Sequence, residues 1–336
     1  TDGNVEFAAG NLLLYRDGAL FAQPFDPSTG KLHGEARPLQ DNVSLIAGNG
    51  QTQFGVSRNA SVLVYLQSGG GDRQLTWIDR TGKVVGVEGK PGPFFTAALS
   101  PDGQSIAYAM VSNGPTPQSD IWIYRRKEGV AQRFTLGGSG YFPVWSPDGN
   151  SLAYVDQPLS SSSRVRRIVV KSLTGETQSI DDSVLESNAT KTLRDWSRDG
   201  RYLMVETGNN PKTVNDIYYI DLKGEKKLIP FAVAPDSQAS PRLSPNGRWL
   251  AYQSAESGLN QVMIQSFPTG NTRLQVSTDG AGVPYWSRDG KEIFYLTPSG
   301  DLMSTKVNIR NGALEVGETE RLFGNLPTGA GVSFAP

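Results

Sequence analysis

Trp145-Ser146-Pro147-Asp148-Gly149-Asn150-Ser151-Leu152-Ala153-Tyr154 decides the fold, because its core recurs along the chain. Ser146-Pro147-Asp148-Gly149 returns as Ser100-Pro101-Asp102-Gly103, Ser197-Arg198-Asp199-Gly200, Ser244-Pro245-Asn246-Gly247 and Ser287-Arg288-Asp289-Gly290. Consecutive anchors are 46, 51, 47 and 43 residues apart. A period of that length marks a solenoid or a propeller. Six residues after each anchor serine stands an aliphatic side chain: Ile106, Leu152, Leu203, Leu250 and Ile293. Eight residues after it stands Tyr108, Tyr154, Tyr252 or Tyr295, with Val205 the exception. The same ruler carried upstream finds Ser57-Arg58-Asn59-Ala60 with Leu63 and Tyr65, and Phe7-Ala8-Ala9-Gly10 with Leu13 and Tyr15. A further start, Val332-Ser333-Phe334-Ala335-Pro336, stands at the end of the chain.

Each copy reads as four short strands. Around Ser100 the spacing predicts strands over 95–99, 105–110, 120–125 and 131–136, with a tight turn at Pro101-Asp102-Gly103. Proline presets φ there, aspartate bonds back to nearby amides, and glycine supplies a positive φ. The second strand is an apolar run too short for a helix. The third returns as Leu75-Thr76-Trp77-Ile78-Asp79 and Asp216-Ile217-Tyr218-Tyr219-Ile220. Four-stranded units of this period are propeller blades. The expectation is therefore an all-β chain forming one β-propeller over residues 1–336. Seven blades are expected, with six or eight as alternatives. Residues 332–336 would add an innermost strand beside residues 12–40 and so close the ring. Each blade lies between two neighbours, which explains second strands apolar on both faces. A chain of this length can bury about 75% of its unfolded surface.

Composition narrows the functions. The net charge is −1 and the pI about 6.0, with lysine and arginine spread along the length. Nucleic-acid binding needs a concentrated basic surface, so it is not expected. The densest basic stretches, Arg164-Val165-Arg166-Arg167 with Lys171 and Arg125-Arg126-Lys127, read as solvated strand edges. No apolar run approaches the ~18 residues of a membrane span. The chain starts at Thr1 and stops inside a repeat, so it is expected to be part of a larger protein. There is no cysteine, which removes thiolate catalysis and cysteine zinc sites.

His33 is the only histidine. It lies in Lys31-Leu32-His33-Gly34-Glu35 and reads as a surface turn residue. No Gly-x-Ser-x-Gly elbow accompanies it; Gly137-Gly138-Ser139-Gly140 ends in Tyr141. Gly69-Gly70-Gly71-Asp72 and Gly137-Gly138 lack the following lysine and helix of a phosphate loop. The anchor aspartates, Asp102, Asp148, Asp199 and Asp289, recur at one turn position, as a structural role requires, and lack calcium-loop spacing. Trp145, Trp196 and Trp286 interchange with Leu99 and Leu243 before the anchor, which implies packing between blades. Trp77 and Trp122 read as core residues. No catalytic residue, metal or cofactor is therefore expected.

A functional site should break the repeat symmetry. The segments entering the first strands do so, and in a propeller they converge around one mouth of the central channel. There they would gather the aromatics Phe94, Phe95, Tyr141, Phe142 and Tyr285 with the charges Lys191, Arg194, Asp195 and Arg242. Apolar area with a few convergent polar groups is the ordinary form of a binding site.

The phrase from Trp145 to Tyr154 resembles the WD40-like PD40 repeat of TolB-type propellers. Leu12 to Asp26, Arg73 to Lys83 and Pro241 to Tyr252 are similar to segments of bacterial proteins that join an N-terminal Ser/Thr kinase to C-terminal PD40 repeats. The chain has no His-Arg-Asp loop and no Asp-Phe-Gly, so no kinase lies within it. The resemblance implies a noncatalytic sensing or binding module of a signalling protein, outside the cytoplasmic membrane. A monomeric domain that takes a protein, peptide or small ligand is expected. The alternatives are a stand-alone TolB-like periplasmic scaffold and a propeller enzyme, such as a lyase or a glycosidase with paired carboxylates.

Overall fold

The computed structural model describes residues 6–8, 10–16, 19–41, 54–56, 63–65, 72–111, 118–157, 166–180, 189–208, 213–310 and 313–324. The expectations placed on residues 57–60, 69–71, 160–164 and 332–336 lie outside these. By proximity of Cα atoms the chain divides into two compact units: Thr1–Arg73 with Pro91–Pro93 and Ser112–Pro117, and the remainder.

The smaller unit holds β1 (Glu6–Ala8), β2 (Asn11–Arg16), β3 (Ala19–Asp26), β4 (Lys31–Leu32) and β5 (Arg37–Asp41). They form one antiparallel sheet in which β4 and β5 both pair with β3. β6 (Phe54–Val56) and β7 (Leu63–Tyr65) form a hairpin. His33 is exposed between β4 and β5, as its turn sequence predicts.

The larger unit opens with residues 74–90 of the hairpin β8 (Arg73–Ile78) and β9 (Val84–Gly92). Five four-stranded meanders follow. The first is β10 (Phe94–Leu99), β11 (Ser105–Val111), β12 (Ser119–Arg125) and β13 (Val130–Arg133). The second is β14 (Gly140–Trp145), β15 (Ser151–Asp156), β16 (Arg167–Ser172) and β17 (Thr177–Ile180). The third is β18 (Thr190–Trp196), β19 (Tyr202–Gly208), β20 (Asn215–Asp221) and β21 (Leu228–Ala232). The fourth is β22 (Gln238–Leu243), β23 (Trp249–Ser254), β24 (Gln261–Ser266) and β25 (Arg273–Gln275). The fifth is β26 (Gly282–Trp286), β27 (Glu292–Leu296), β28 (Leu302–Arg310) and β29 (Ala313–Phe323). Five sheets are the four-stranded units that the repeats predict; β1–β5 form a five-stranded sheet, and β6–β7 and β8–β9 are two-stranded sheets. First strands of successive sheets pack side by side, as in propeller blades.

The anchor turn shows why its letters recur. Ser146 Oγ donates to Asp148 Oδ1 at 2.5 Å and accepts from the Ser151 amide at 2.9 Å. Asp148 Oδ1 also accepts from the Asn150 amide at 3.0 Å, and Gly149 has φ 72°. The same bonds form at Ser100, Ser197, Ser244 and Ser287. The serine hydroxyls hold the Asp102, Asp148 and Asp289 carboxyls below the usual carboxylate range. A carboxylate depressed in the folded state stabilises it above the unfolded pKa, and that contribution is lost as pH falls through the folded value. Asn246 does the same work uncharged. Asp148→Ala is therefore expected to lower stability by ~1 kcal/mol at pH 7, whereas Asp148→Asn keeps the turn. Thermal unfolding between pH 7 and acid checks this: the Asn variant should lose less stability on acidification than wild type.

The ruler positions are core. Leu152, Leu203, Leu250 and Ile293 are fully buried, and Tyr108, Tyr154, Tyr252 and Tyr295 nearly so. Burial raises the Tyr154 and Tyr252 phenols to about 12. Trp145 Nε1 donates to the Ala98 carbonyl at 3.0 Å and Trp286 Nε1 to the Arg242 carbonyl at 3.1 Å, so both bond the preceding first strand. Trp196 instead closes its own turn on the Gly200 carbonyl. Trp77 and Trp122 are half-buried.

Two details depart from the sequence reading. The fourth strand of the first meander ends at Arg133 rather than residue 136, because the Thr135 hydroxyl takes over the ladder and accepts from the Ile121 amide at 2.9 Å. Ser277 does likewise for Val262. Arg126 and Lys171 are also more than solvated edge residues. Arg126 Nε donates to Glu88 Oε1 at 2.7 Å, and its guanidinium lies over Trp77. Lys171 Nζ donates to the Phe134 carbonyl.

The β8–β9 hairpin meets the first and last meanders on its two sides. Toward the first it uses Glu88 and Arg126. Toward the last, Arg80 pairs with Glu292 at 2.7 Å and Glu320 at 3.5 Å. Gly82 has φ +86°, and a Cβ there would stand 2.8 Å from the Phe323 ring, so only glycine fits.

Candidate functional site

The first strands position the site. In the five four-stranded meanders each carries a register shift two to six residues before the anchor serine, as between Phe94 and Thr96, Tyr141 and Val144, Leu193 and Asp195, or Ala239 and Arg242. Phe142, Ser240 and Val283, each four residues before its anchor, have φ 54°. Left-handed φ is strained for a non-glycine residue and most so for β-branched valine. These bulges turn alternate side chains across the entry ends of the strands.

The nine expected site residues separate into two groups. Phe95, Tyr141 and Phe142 form an aromatic cluster, with Phe95 centred 5.4 Å from Phe142 and 6.4 Å from Tyr141. Phe95 is 42% exposed, whereas Tyr141 and Phe142 are half-buried and pack on the core beneath it. Phe94 turns away and packs edge-on against Tyr108 at 4.9 Å.

The charged members are tied up between sheets. Lys191 is buried and donates to the Arg166 carbonyl at 2.8 Å. Arg194 forms a bidentate pair with Glu206 at 2.9 and 3.0 Å, and Glu206 also accepts from the Ser240 amide at 2.7 Å. Asp195 accepts from the amides of Trp196 at 2.9 Å and Leu243 at 2.7 Å. Arg242 donates to the Arg194 carbonyl and to Tyr285 Oη at 2.8 Å, with its guanidinium 4.4 Å over the Tyr285 ring. Burial raises the Asp195 carboxyl, and nearby Arg242 opposes the rise. Burial alone would lower the Arg242 guanidinium, but Tyr285 and Asp195 raise it overall. These residues clamp β18 to β22 and β26. Satisfied in this way, they have little capacity left for a ligand.

None of the nine lines either of two cavities at the opposite, anchor-turn ends of the first strands. One, of about 840 Å³, includes Arg198 and Arg288; the other, of about 570 Å³, includes Pro147, Asp148 and Arg198. Sequence reasoning treated the anchors as structural and passed over Arg198 and Arg288. The available signal was that only these two clear anchors replace proline with a charge. No group of three or more metal-ligating side chains occurs among the described residues. No helix is long and apolar enough to cross a membrane among them either.

Successive four-stranded antiparallel meanders with these anchors define a β-propeller. Residues 94–243 match the model of the prolyl oligopeptidase N-terminal β-propeller domain. The fold is similar to a putative TolB from Agrobacterium tumefaciens, with TM-score 0.56 and 18% identity over 73% of this chain and 86% of that one. TolB from Acinetobacter baumannii gives TM-score 0.51 and 17% identity over 95% and 82%. Oligogalacturonate lyase from Vibrio parahaemolyticus gives TM-score 0.51 and 14% identity over 73% and 72%. No curated protein sequence matches the chain.

Proposed function

We propose that this chain is a noncatalytic recognition module that binds a protein or peptide at the entry ends of its first strands. The observation that carries this reading is the Phe95–Tyr141–Phe142 cluster, where the exposed Phe95 ring packs on half-buried Phe142, whose backbone is held at positive φ. Rigid aromatics flanked by fixed charges suit an interface anchor, because little side-chain freedom is lost on binding. The neighbouring Arg194–Glu206 and Arg242–Tyr285 ties support that platform by holding adjacent first strands in register.

The test is selection of displayed peptides on the wild-type domain, followed by affinity measurement with Phe95→Ala/Tyr141→Ala. A loss of at least about tenfold is expected, since hot-spot aromatics carry ~2 kcal/mol or more each. Equal affinity for both proteins, or no enriched peptide, would sink the reading.

The module is further proposed to serve a larger signalling protein with a Ser/Thr kinase, on the extracytoplasmic side; the resemblance of Leu12 to Asp26 supports this. A membrane-bound native species much heavier than 36.3 kDa is expected on fractionation of the host. A soluble species near that mass, released with the periplasm, would favour a TolB-like scaffold instead, a reading supported by the fold shared with the two TolB structures.

A further inference from the structure

Apart from Asn246 in place of one aspartate, the clear anchor turns depart from the repeat at a single position. Pro101, Pro147 and Pro245 occupy the second position in three of the five clear copies, and Arg198 and Arg288 occupy it in the other two. Proline presets the φ that this turn position uses and reduces the freedom of the unfolded chain. Arginine gives up that advantage, and for Arg198 the compensation is a long-range attraction to the Asp195 carboxyl rather than an ion pair. Neither Arg198 nor Arg288 has a hydrogen bond or ion pair among the described residues, and both are exposed.

Both arginines line the same cavity of about 840 Å³. Its wall also carries Arg80, Lys291 and Lys306, five cations in all against the carboxylates of Asp289 and Glu292. The other three cations are already engaged: Arg80 with Glu292, Lys291 with Asp289 and Lys306 with Glu318. The cations of this wall without an ion pair among the described residues are therefore the two arginines. Trp286 and Phe294 supply an apolar wall beside them. In a chain of net charge −1, this local excess is set by position rather than by composition. Guanidinium groups present planar forks that match carboxylates, and two of them on one cavity suit a ligand with several carboxylates in reach.

We propose that this cavity, at the far ends of the first strands from the aromatic cluster, binds a carboxylate-rich ligand through Arg198 and Arg288, and that the ligand is an acidic peptide segment. The cavity is much larger than a single small anion requires, and its cations are spread along the wall, which favours a chain of carboxylates over one isolated acid.

The test uses a fluorescein-labelled oligoglutamate peptide of about six residues, roughly 20 Å when extended, with citrate as the small-acid comparison. Binding is read by anisotropy, and citrate by competition and calorimetry. Three proteins are compared: wild type, Arg198→Pro/Arg288→Pro and Arg248→Ala. The proline variant restores the residue of the sibling turns, so the fold should hold while both charges go. Arg248 is an exposed arginine just after a sibling turn and lies outside both cavities. The expected result is peptide binding that weakens at least about tenfold in the proline variant, is unchanged in Arg248→Ala, and falls as salt rises from about 50 to about 500 mM. Equal binding by wild type and the proline variant would overturn the proposal. So would failure of the peptide to bind, whether or not citrate does. Phe95→Ala/Tyr141→Ala should leave this binding intact, which separates its outcome from that of the recognition surface at the other end.

Discussion

Arg242→Met is expected to destabilise the protein by about 3–5 kcal/mol at neutral pH, and the loss should shrink as the solution is acidified. Arg242 is the enclosed cation nearest the Asp195 carboxyl, and it also bonds the Arg194 carbonyl and Tyr285 Oη. Methionine fills similar volume but leaves Asp195 with two amide donors and the weaker attraction of Arg198. Asp195 is already raised by burial, and without Arg242 it rises further. A carboxyl whose folded pKa lies above its unfolded value destabilises the fold at higher pH. That penalty is relieved as pH falls through the folded value, because the native state then binds the extra proton. The turn aspartates act with the opposite sign, but they are common to both proteins and cancel in the difference. Urea unfolding of wild type and variant at pH 8 and pH 5 checks this. A difference that is constant or grows toward pH 5 would show that Asp195 is not the strained group.

Tyr252→Ala is expected to cost a similar amount, about 3–5 kcal/mol. Tyr252 is 1% exposed and packs with Met204, Ile217, Leu243, Leu250 and Phe267, residues drawn from adjoining sheets. Its removal leaves a cavity that two sheets on rigid ladders cannot close. Tyr252→Phe keeps the ring and loses the hydroxyl's 2.7 Å bond to Gln265 Oε1 and its contact with Arg273, so a cost of ~1 kcal/mol is expected. Thermal or denaturant unfolding of both variants gives the comparison. If Ala and Phe cost the same, the hydroxyl rather than the ring holds the sheets together.

Val205 shows where the ruler stops being informative. It occupies the tyrosine position of its repeat and is fully buried. Its cluster includes Tyr141, Phe142, Trp196 and Tyr218 from neighbouring elements. The aromatic volume missing from the ruler position is supplied across the sheet interface, so valine suffices there. A linear pattern records which positions face inward, not which neighbour fills the space.

The candidate site was legible to a similar depth. The sequence placed nine residues at the entry ends of the first strands, and that location follows from strand order alone. Their roles do not. Lys191, Arg194, Asp195 and Arg242 look like ligand groups in one dimension, yet their partners, the Arg166 carbonyl, Glu206, the Leu243 amide and Tyr285, lie 12 to 48 residues away. Of the aromatics, Phe95 is the one left exposed, while Tyr141 and Phe142 beside it are half-buried against the core.

The sequence by itself determined what depends on neighbours a few residues apart. The anchor turn closes through Ser146, Asp148 and the amides of residues 150 and 151, and alternation then sends Leu152 and Tyr154 inward. Repetition of that local unit implies the sheets. Only the tertiary structure decided which charges neutralise one another, which aromatics remain exposed, and that the β8–β9 hairpin reaches the last meander through Arg80 and Glu292, 212 residues apart. The physical reason is range: turns and strand patterns are set by short-range sterics and hydrogen bonds, whereas burial and ion pairing depend on where separate sheets meet.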